Sequence, residues 1–323
     1  MKYYLAPMEG ITGYIYRNSY EKFFNNVDKY FTPFIVPNKS TSLKTKELRD
    51  ILPENNKGMN IVPQILTNDS EAFIITARKL QQLGYNEINL NLGCPAGTVV
   101  SKNRGSGFLA KREELDIFLD EIFKIDDMKI SIKTRIGKDS PEEFYELIKI
   151  YNKYLIEELI IHPRTQKDFY GNKPDLDVFK DALSLSSNPI CYNGDIFSVS
   201  DYNRLIKTFP KVKTIMLGRG ILANPGLINE IKNNTTIDKE VLKEFHDEIL
   251  NKYIELYNED RNALFKMKEL WGYMIYIFSN NKKYAKKIKK AQKLNCYNAA
   301  VLSLFREQEI IKEVGLFSNN IKI

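Results

Sequence analysis

The residues most able to do chemistry lie at the ends of short apolar runs. Cys94 sits in Gly93-Cys94-Pro95, directly after Glu87–Leu92. Side chains alternate along a strand, so Ile88, Leu90 and Leu92 share one face and Asn89 and Asn91 the other. Two asparagines on one strand face are costly unless hydrogen-bonded. A lone cysteine is most often a small buried hydrophobe, but a Gly-x-Pro turn just past a strand makes Cys94 a candidate catalytic residue. In Lys129–Thr134 and the residue after it, Ile130, Ile132 and Thr134 alternate with Ser131, Lys133 and Arg135. A cation there needs an anionic or electron-rich partner, or a lowered pKa. The plain alternative is a salt bridge to a neighbouring carboxylate such as Asp195. His162 follows Leu159-Ile160-Ile161, and Asn193-Gly194-Asp195 and Gly218-Arg219-Gly220 end two further runs. Glycines after late strands, with a helix start nearby, make the usual phosphate site of a β/α barrel, and Arg219 adds charge.

These positions need a scaffold that brings strand ends together. The pattern predicts eight strands, at Tyr3–Ala6, Phe34–Pro37, Asn60–Leu66, Glu87–Leu92, Lys129–Thr134, Glu158–His162, Pro189–Asn193 and Thr214–Leu217. Helical stretches at Ser70–Leu83, Lys111–Phe123, Pro141–Tyr154 and Val199–Thr208 fall between them, while Lys39–Asn56 reads as polar loop with a short helix. Strands alternating with helices point to parallel units, and eight of them to a (β/α)₈ TIM barrel, whose active site lies at the C-terminal strand ends. After Asn224-Pro225-Gly226 the strand signal stops. Asp238–Gly315 reads as a small C-terminal helical bundle, so we expect a barrel over 1–235 and a helical domain over 236–323. One helix is expected over Lys282–Leu294, with Tyr284, Ile288, Ala291 and Leu294 on one face and Lys283, Lys286, Lys287 and Lys290 on another.

Composition narrows the function classes. A 323-residue chain that is 43% hydrophobic and 28% charged can bury a large core. No apolar run approaches the ~18 residues of a membrane span. The start Met1-Lys2-Tyr3-Tyr4-Leu5-Ala6-Pro7 lacks a signal-peptide core, so a cytoplasmic protein is expected. Three cysteines without a C-x-x-C pair, and two histidines, argue against a zinc site or a disulfide framework. The net charge of +7 is uneven: Arg261–Arg306 is rich in Lys and Arg, with Glu269 its single acid. Such a block suits a polyanionic partner, or else is a solvated lysine-rich face.

Taken in order, Ala6-Pro7-Met8-Glu9-Gly10-Ile11-Thr12, Gln64, Asn89-Leu90-Asn91-Leu92-Gly93-Cys94-Pro95, Lys133-Thr134-Arg135-Ile136-Gly137, His162-Pro163-Arg164-Thr165, Asn193-Gly194-Asp195 and Gly218-Arg219-Gly220 resemble the tRNA-dihydrouridine synthase family. Lys266-Met267-Lys268-Glu269-Leu270-Trp271 resembles the basic-aromatic motif of its C-terminal domain. The resemblance implies tightly bound FMN, with Pro7, Met8, Glu9, Gln64, Lys133 and His162 around the ring and Asn193, Gly194, Asp195, Gly218 and Arg219 at the phosphate end. It implies NADPH as reductant, hydride from FMN to uracil C6, and a proton from Cys94 to C5 of a uridine taken out of the RNA stack. Asn91 would bond the uracil edge, and Arg164, Lys268, Lys286, Lys287 and Lys290 would meet tRNA or another structured RNA. The protein is expected to be a monomer without a metal. Pro163 stands where the family often has a smaller residue. The rival readings are an FMN barrel dehydrogenase acting on a free pyrimidine, which leaves the basic block unexplained, and a flavin-less RNA-binding barrel, which leaves the Gln64–Arg219 set unexplained.

Overall fold

The computed structural model describes residues 1–37 and 43–315. Nine strands form one parallel sheet: β1 (Lys2–Leu5), β2 (Lys29–Phe31), β3 (Ile61–Val62), β4 (Gln64–Ile65), β5 (Glu87–Leu92), β6 (Lys129–Gly137), β7 (Leu159–Thr165), β8 (Ile190–Tyr192) and β9 (Thr214–Leu217). Their order is β3-β2-β1-β9-β8-β7-β6-β5-β4. β3 and β4 are two halves of one strand interrupted by Pro63, which has no N–H to give to a ladder. β3 pairs with β2 and β4 with β5, and the Pro63 carbonyl still accepts from Asn89 N. The sheet therefore closes on itself as an eight-stranded TIM barrel.

The second strand lies earlier than the sequence pattern suggests. Lys29–Phe31 pairs with β1, whereas Phe34–Pro37 contributes only a bridge from Ile35 to Ile65. Pro33 intervenes and ends the ladder. Residues 39–42 of the expected loop lie outside the described residues; beyond them Thr45–Ile51 is helical. β6 and β7 run three residues past their expected ends. Their register shifts between Arg135 and Gly137, opposite Pro163, so the bulge absorbs the missing proline N–H.

The chain divides into two compact units. The first comprises 1–7, 28–194 and 209–216; the second comprises 8–27, 195–208 and the chain from 217 onward. In the first, a layer of Tyr4, Ala6, Phe31, Val62, Ile160, Cys191 and Met216 fills the barrel. Asp69 caps the helix Ser70–Gln82 by accepting from Ala72 N.

In the second unit the helix Tyr14–Phe24 packs on Lys239–Tyr257, with Tyr16, Tyr20 and Phe24 edge-on to Phe245. Asp260–Met274, Lys282–Lys290 and Leu294–Glu307 complete the bundle. Its core holds a polar triplet: Trp271 Nε1 donates to the Tyr297 hydroxyl, which faces His246 Nε2 at 2.7 Å. The expected helix Lys282–Leu294 ends early. It stops at Lys290, and Leu294 starts the next helix. Tyr284 and Ile288 are buried, Ala291 is buried as the C-cap, and Lys283, Lys286, Lys287 and Lys290 are exposed.

Candidate active site

Alternation along β5 and β6 puts Asn89, Asn91, Ser131 and Lys133 on one wall, with Asn89 beside Ser131 and Asn91 beside Lys133. Gln64 on β4 is level with Asn89. The amides are joined. Gln64 Nε2 donates to Asn89 Oδ1 at 2.8 Å, and Asn91 Nδ2 donates to Gln64 Oε1 at 2.7 Å. Gln64 and Asn89 are fully buried and Asn91 is 7% exposed. Asn91 does more than the sequence suggested. Its Oδ1 accepts from the main-chain N–H of Gly93 and of Cys94, at 3.0 and 2.9 Å, so only its second Nδ2 hydrogen is left for a uracil edge.

The Cys94 turn is held from the other side as well. Its carbonyl accepts from Ser106 N and Ser106 Oγ. Gly105 carries a positive φ of +54°, and a Cβ there would lie 2.8 Å from the Cys94 oxygen. Cys94 is partly exposed, Cys191 is inside the barrel layer and Cys296 is on the surface. Burial pushes the Cys191 thiol up, which makes it inert.

Lys133 has no carboxylate partner among the described residues. Burial, and then the neighbouring Arg135 cation, push its pKa down to about 8. The alternative of an Asp195 bridge does not hold, because Asp195 pairs with Arg219 at 2.5 Å, both side chains only 7% exposed. Arg135 is buried against backbone, donating to Gly93 O, Thr165 O and Phe169 O. It staples the mouth loops and is not available to a ligand.

On β7, His162 and Arg164 lie on the same face. Arg164 is 1% exposed, donating to Asn172 O and facing His162 Nε2 at 3.1 Å. It is therefore not presented to RNA as expected: the strand continues through Pro163 and carries the guanidinium inward. A guanidinium has no lone pair, so His162 Nε2 must accept and the ring proton sits on Nδ1. Tyr170, which the sequence reading passed over, is 6.1 Å from the His162 ring and 5.4 Å from the Arg135 guanidinium. Nothing in its loop marks it by pattern.

Asn193, at the end of β8, donates to Met216 O at 2.9 Å. Gly194 stands against the Tyr192 hydroxyl, where a Cβ would collide. In the second unit Gly218 precedes the short helix Arg219–Ala223, and the Arg219 guanidinium lies over the Phe197 ring at 5.4 Å. Asp195 thus orients Arg219. Met8 O accepts from Ile11 N and Thr12 N in the first loop; Pro7 and Met8 are half-buried and Glu9 is exposed. Lys266, a residue the sequence reading named only as part of a motif, donates to Gly10 O at 3.0 Å and to Glu269 Oε2 at 2.6 Å. Its signal was the Glu at i+3. Lys268 donates to Ala291 O at 2.5 Å. Ala291 is the C-cap of the Lys282–Lys290 helix, and Lys268 is half-buried there. Trp271 is fully buried. Lys286, Lys287 and Lys290 remain exposed on one helix.

Among the described residues, no cluster of three or more His, Cys, Asp or Glu could hold a metal, and no helix is long and apolar enough to cross a membrane. A cavity of about 1030 Å³ opens at the opposite end of the barrel, lined by Lys29, Glu87, Lys129, Glu157 and Glu158 among others. Lys29–Glu87 and Lys129–Glu157 are ion pairs there, so this end serves stability.

Residues 4–317 match the family model described as dihydrouridine synthase. The chain is 28% identical to the tRNA-dihydrouridine(16) synthase of Vibrio vulnificus, over 72% of this chain and 76% of that protein. It is 28% identical to tRNA-dihydrouridine synthase B of Pasteurella multocida over 74% and 71%. A probable tRNA-dihydrouridine synthase of Helicobacter pylori is 28% identical over 84% and 82%. Among solved structures, morphinone reductase matches with a TM-score of 0.52 at 9% identity, covering 73% of this chain and 87% of that one. The old yellow enzyme from Trypanosoma cruzi matches with a TM-score of 0.52 at 9% identity, covering 73% and 89%. At that identity the likeness concerns the barrel fold alone.

Proposed function

Because the chain belongs to the dihydrouridine synthase family, we propose that it reduces particular uridines of tRNA to 5,6-dihydrouridine, with FMN as resident cofactor and NADPH as reductant, acting as a cytoplasmic monomer. The observation that carries the reading is the register of β5 on β6, which sets Asn91 beside Lys133 with the Cys94 turn two residues beyond β5. The donor set fits the cofactor. On that wall the amide oxygens of Asn89, Gln64 and Asn91 each already accept a hydrogen bond, and what remains is donors: Lys133 Nζ and one Nδ2–H of Asn91. Such a surface suits ligands whose edges are carbonyl oxygens and ring nitrogens, as in flavin and uracil.

FMN, when bound, supplies the hydride for uracil C6. Every other task falls to the protein. Lys133, as an ammonium, would neutralise charge on the flavin, and Gln64, His162, Pro7, Met8 and Glu9 are the residues that would hold the ring. Arg219, oriented by Asp195, would meet the phosphate, with Asn193, Gly194 and Gly218 as the other residues that would hold that end. Asn91 gives its remaining N–H to the uracil, and Cys94 delivers the proton to C5. An ordinary thiol, with a pKa of ~8.5, is mostly protonated at neutral pH, as an acid requires. Arg164 sets the tautomer of His162. Lys286, Lys287 and Lys290 attract the RNA. By task, 1–235 would be the catalytic barrel and 236–323 the RNA-binding helices, a division different from that of the two compact units.

The test is direct. Purified protein should be yellow, release FMN on denaturation, and form dihydrouridine in unmodified tRNA when given NADPH. Colourless protein that takes up no FMN would end this reading. Yellow protein that turns over a free pyrimidine but not tRNA would replace it with the free-pyrimidine reading.

A further inference from the structure

We propose that Gln64 and Asn89 are positioning residues for Cys94, acting through Asn91; the functional part of this proposal rests on Cys94 being the proton donor. The geometry is a chain of side-chain amides with one permitted polarity. At one end the main-chain N–H groups of Gly93 and Cys94 can only donate, so the oxygen of Asn91 must face them. Asn91 Nδ2 then faces Gln64, whose oxygen must receive it. Gln64 Nε2 meets Asn89 Oδ1. Asn89 Nδ2 meets Ser131 Oγ at 3.0 Å, and Ser131 Oγ donates to Ile88 O at 3.3 Å.

No amide in this chain can turn over alone. A single flip would set like against like on at least one side, N–H against N–H or oxygen against oxygen, in a place closed to water. Gln64, Asn89 and Ser131 are all 0% exposed. Gln64 is also fixed by its main chain, which donates to Thr32 Oγ1 at 3.1 Å. The link from Gln64 to Cys94 is thus a single side chain, Asn91, whose two polar atoms are both committed. If the Gln64 amide is lost, Asn91 is released and the Gly93 and Cys94 N–H groups lose the acceptor that aims the turn.

The experiment follows amide hydrogen exchange at Gly93 and Cys94 in the full-length protein, together with single-turnover oxidation of pre-reduced protein by tRNA. Gln64→Met keeps the length of the side chain and removes the amide. Gln64→Glu can keep the chain: one carboxylate oxygen takes the Asn91 Nδ2 hydrogen, the other takes that of a rotated Asn89, and Ser131 Oγ turns to the Asn89 oxygen. We expect exchange at Gly93 and Cys94 to be roughly tenfold faster in Gln64→Met, with β8 and β9 unchanged and turnover slowed, and expect Gln64→Glu to restore the exchange rates. If Gln64→Met does not fold, Ser131→Ala at the far end of the chain should still speed exchange about twofold. Wild-type exchange in these variants overturns the proposal, even if flavin content falls, because Gln64 would then be a cofactor contact only. Faster exchange with undiminished turnover, in a protein where Cys94→Ala is slow, overturns it too. If Cys94→Ala itself is not slow, the role of Cys94 as acid fails, and the exchange rates alone decide whether the chain holds the turn.

Discussion

The two ends of the barrel treat a half-buried lysine in opposite ways. At the N-terminal end Lys29 meets Glu87 at 2.7 Å, with side chains 11% and 9% exposed. At the C-terminal end Lys133 has no such partner among the described residues, and its pKa is pushed down to about 8. Both ends are built from the same strands, so burial alone does not explain the difference. The N-terminal end closes its charges on each other. The C-terminal end gathers joined amides, a cation with no carboxylate partner among the described residues and a partly exposed thiol. Stability is kept at one end and recognition at the other, as the fold ordinarily divides them.

The largest effect should come from the thiol. Cys94→Ala should retain flavin and its reduction by NADPH, while dihydrouridine formation drops by about 10²–10⁴-fold, the usual contribution of a positioned acid. Cys191→Ala, inside the barrel, should cost stability through a cavity but not turnover of the folded protein. Single-turnover oxidation by tRNA separates the two, and a wild-type rate in Cys94→Ala would make the thiol structural.

Exchanging the lysines tests the contrast itself. Lys29→Met leaves the Glu87 carboxylate buried without its partner and should cost ~3–5 kcal/mol in chemical denaturation, with little change in the chemical step. Lys133→Met should leave stability unchanged or raised and lose turnover. The pH dependence follows the same contrast. The folded pKa of Lys133 lies below its unfolded value of ~10.4, so from about 8 upward the unfolded chain holds more protons. Stability of flavin-free protein should therefore rise with pH across that window, and Lys133→Met should remove the rise. Turnover that needs the ammonium should fall over the same range. Equal stability losses in the two variants would erase the distinction between the ends.

A smaller effect is expected at Arg219. Its removal should weaken FMN binding by ~1.5–3 kcal/mol, the worth of a charge-assisted hydrogen bond, readable as the free FMN concentration needed to restore colour. Smallest in its reach is the exposed helix. Charge reversal of Lys286, Lys287 and Lys290 should weaken tRNA binding and flatten its salt dependence, while flavin content stays the same. Unchanged RNA affinity would leave those lysines as a solvated face.

Local pattern carried most of the barrel. The alternation of Ile88, Leu90 and Leu92 with Asn89 and Asn91 located β5 to the residue, and the wall of Lys133 followed from the same period of two. The displaced second strand and the broken lysine helix were illegible for a shared reason. Pro33 and the Ala291–Lys293 break act through which neighbours are available to pair or pack, and neither is marked by a change in hydropathy.

What the sequence by itself determined is the inventory and its order: eight parallel units, the thiol past the fourth, the cation on the fifth, the histidine on the sixth and the arginine past the eighth. These depend only on periodicity and strand polarity, which are local. The tertiary structure alone decided how each polar atom is spent. Arg164, read as an RNA contact, turns inward to Asn172 O, and Lys268 gives one hydrogen bond to Ala291 O. Asp195 goes to Arg219 rather than Lys133, and Asn91 turns its oxygen to the Cys94 loop. A hydrogen bond is settled by which donor and acceptor finally lie within about 3 Å, and partners separated by 25 to 42 residues, as from Gln64 to Asn89 and from Asn89 to Ser131, meet only once the barrel has closed.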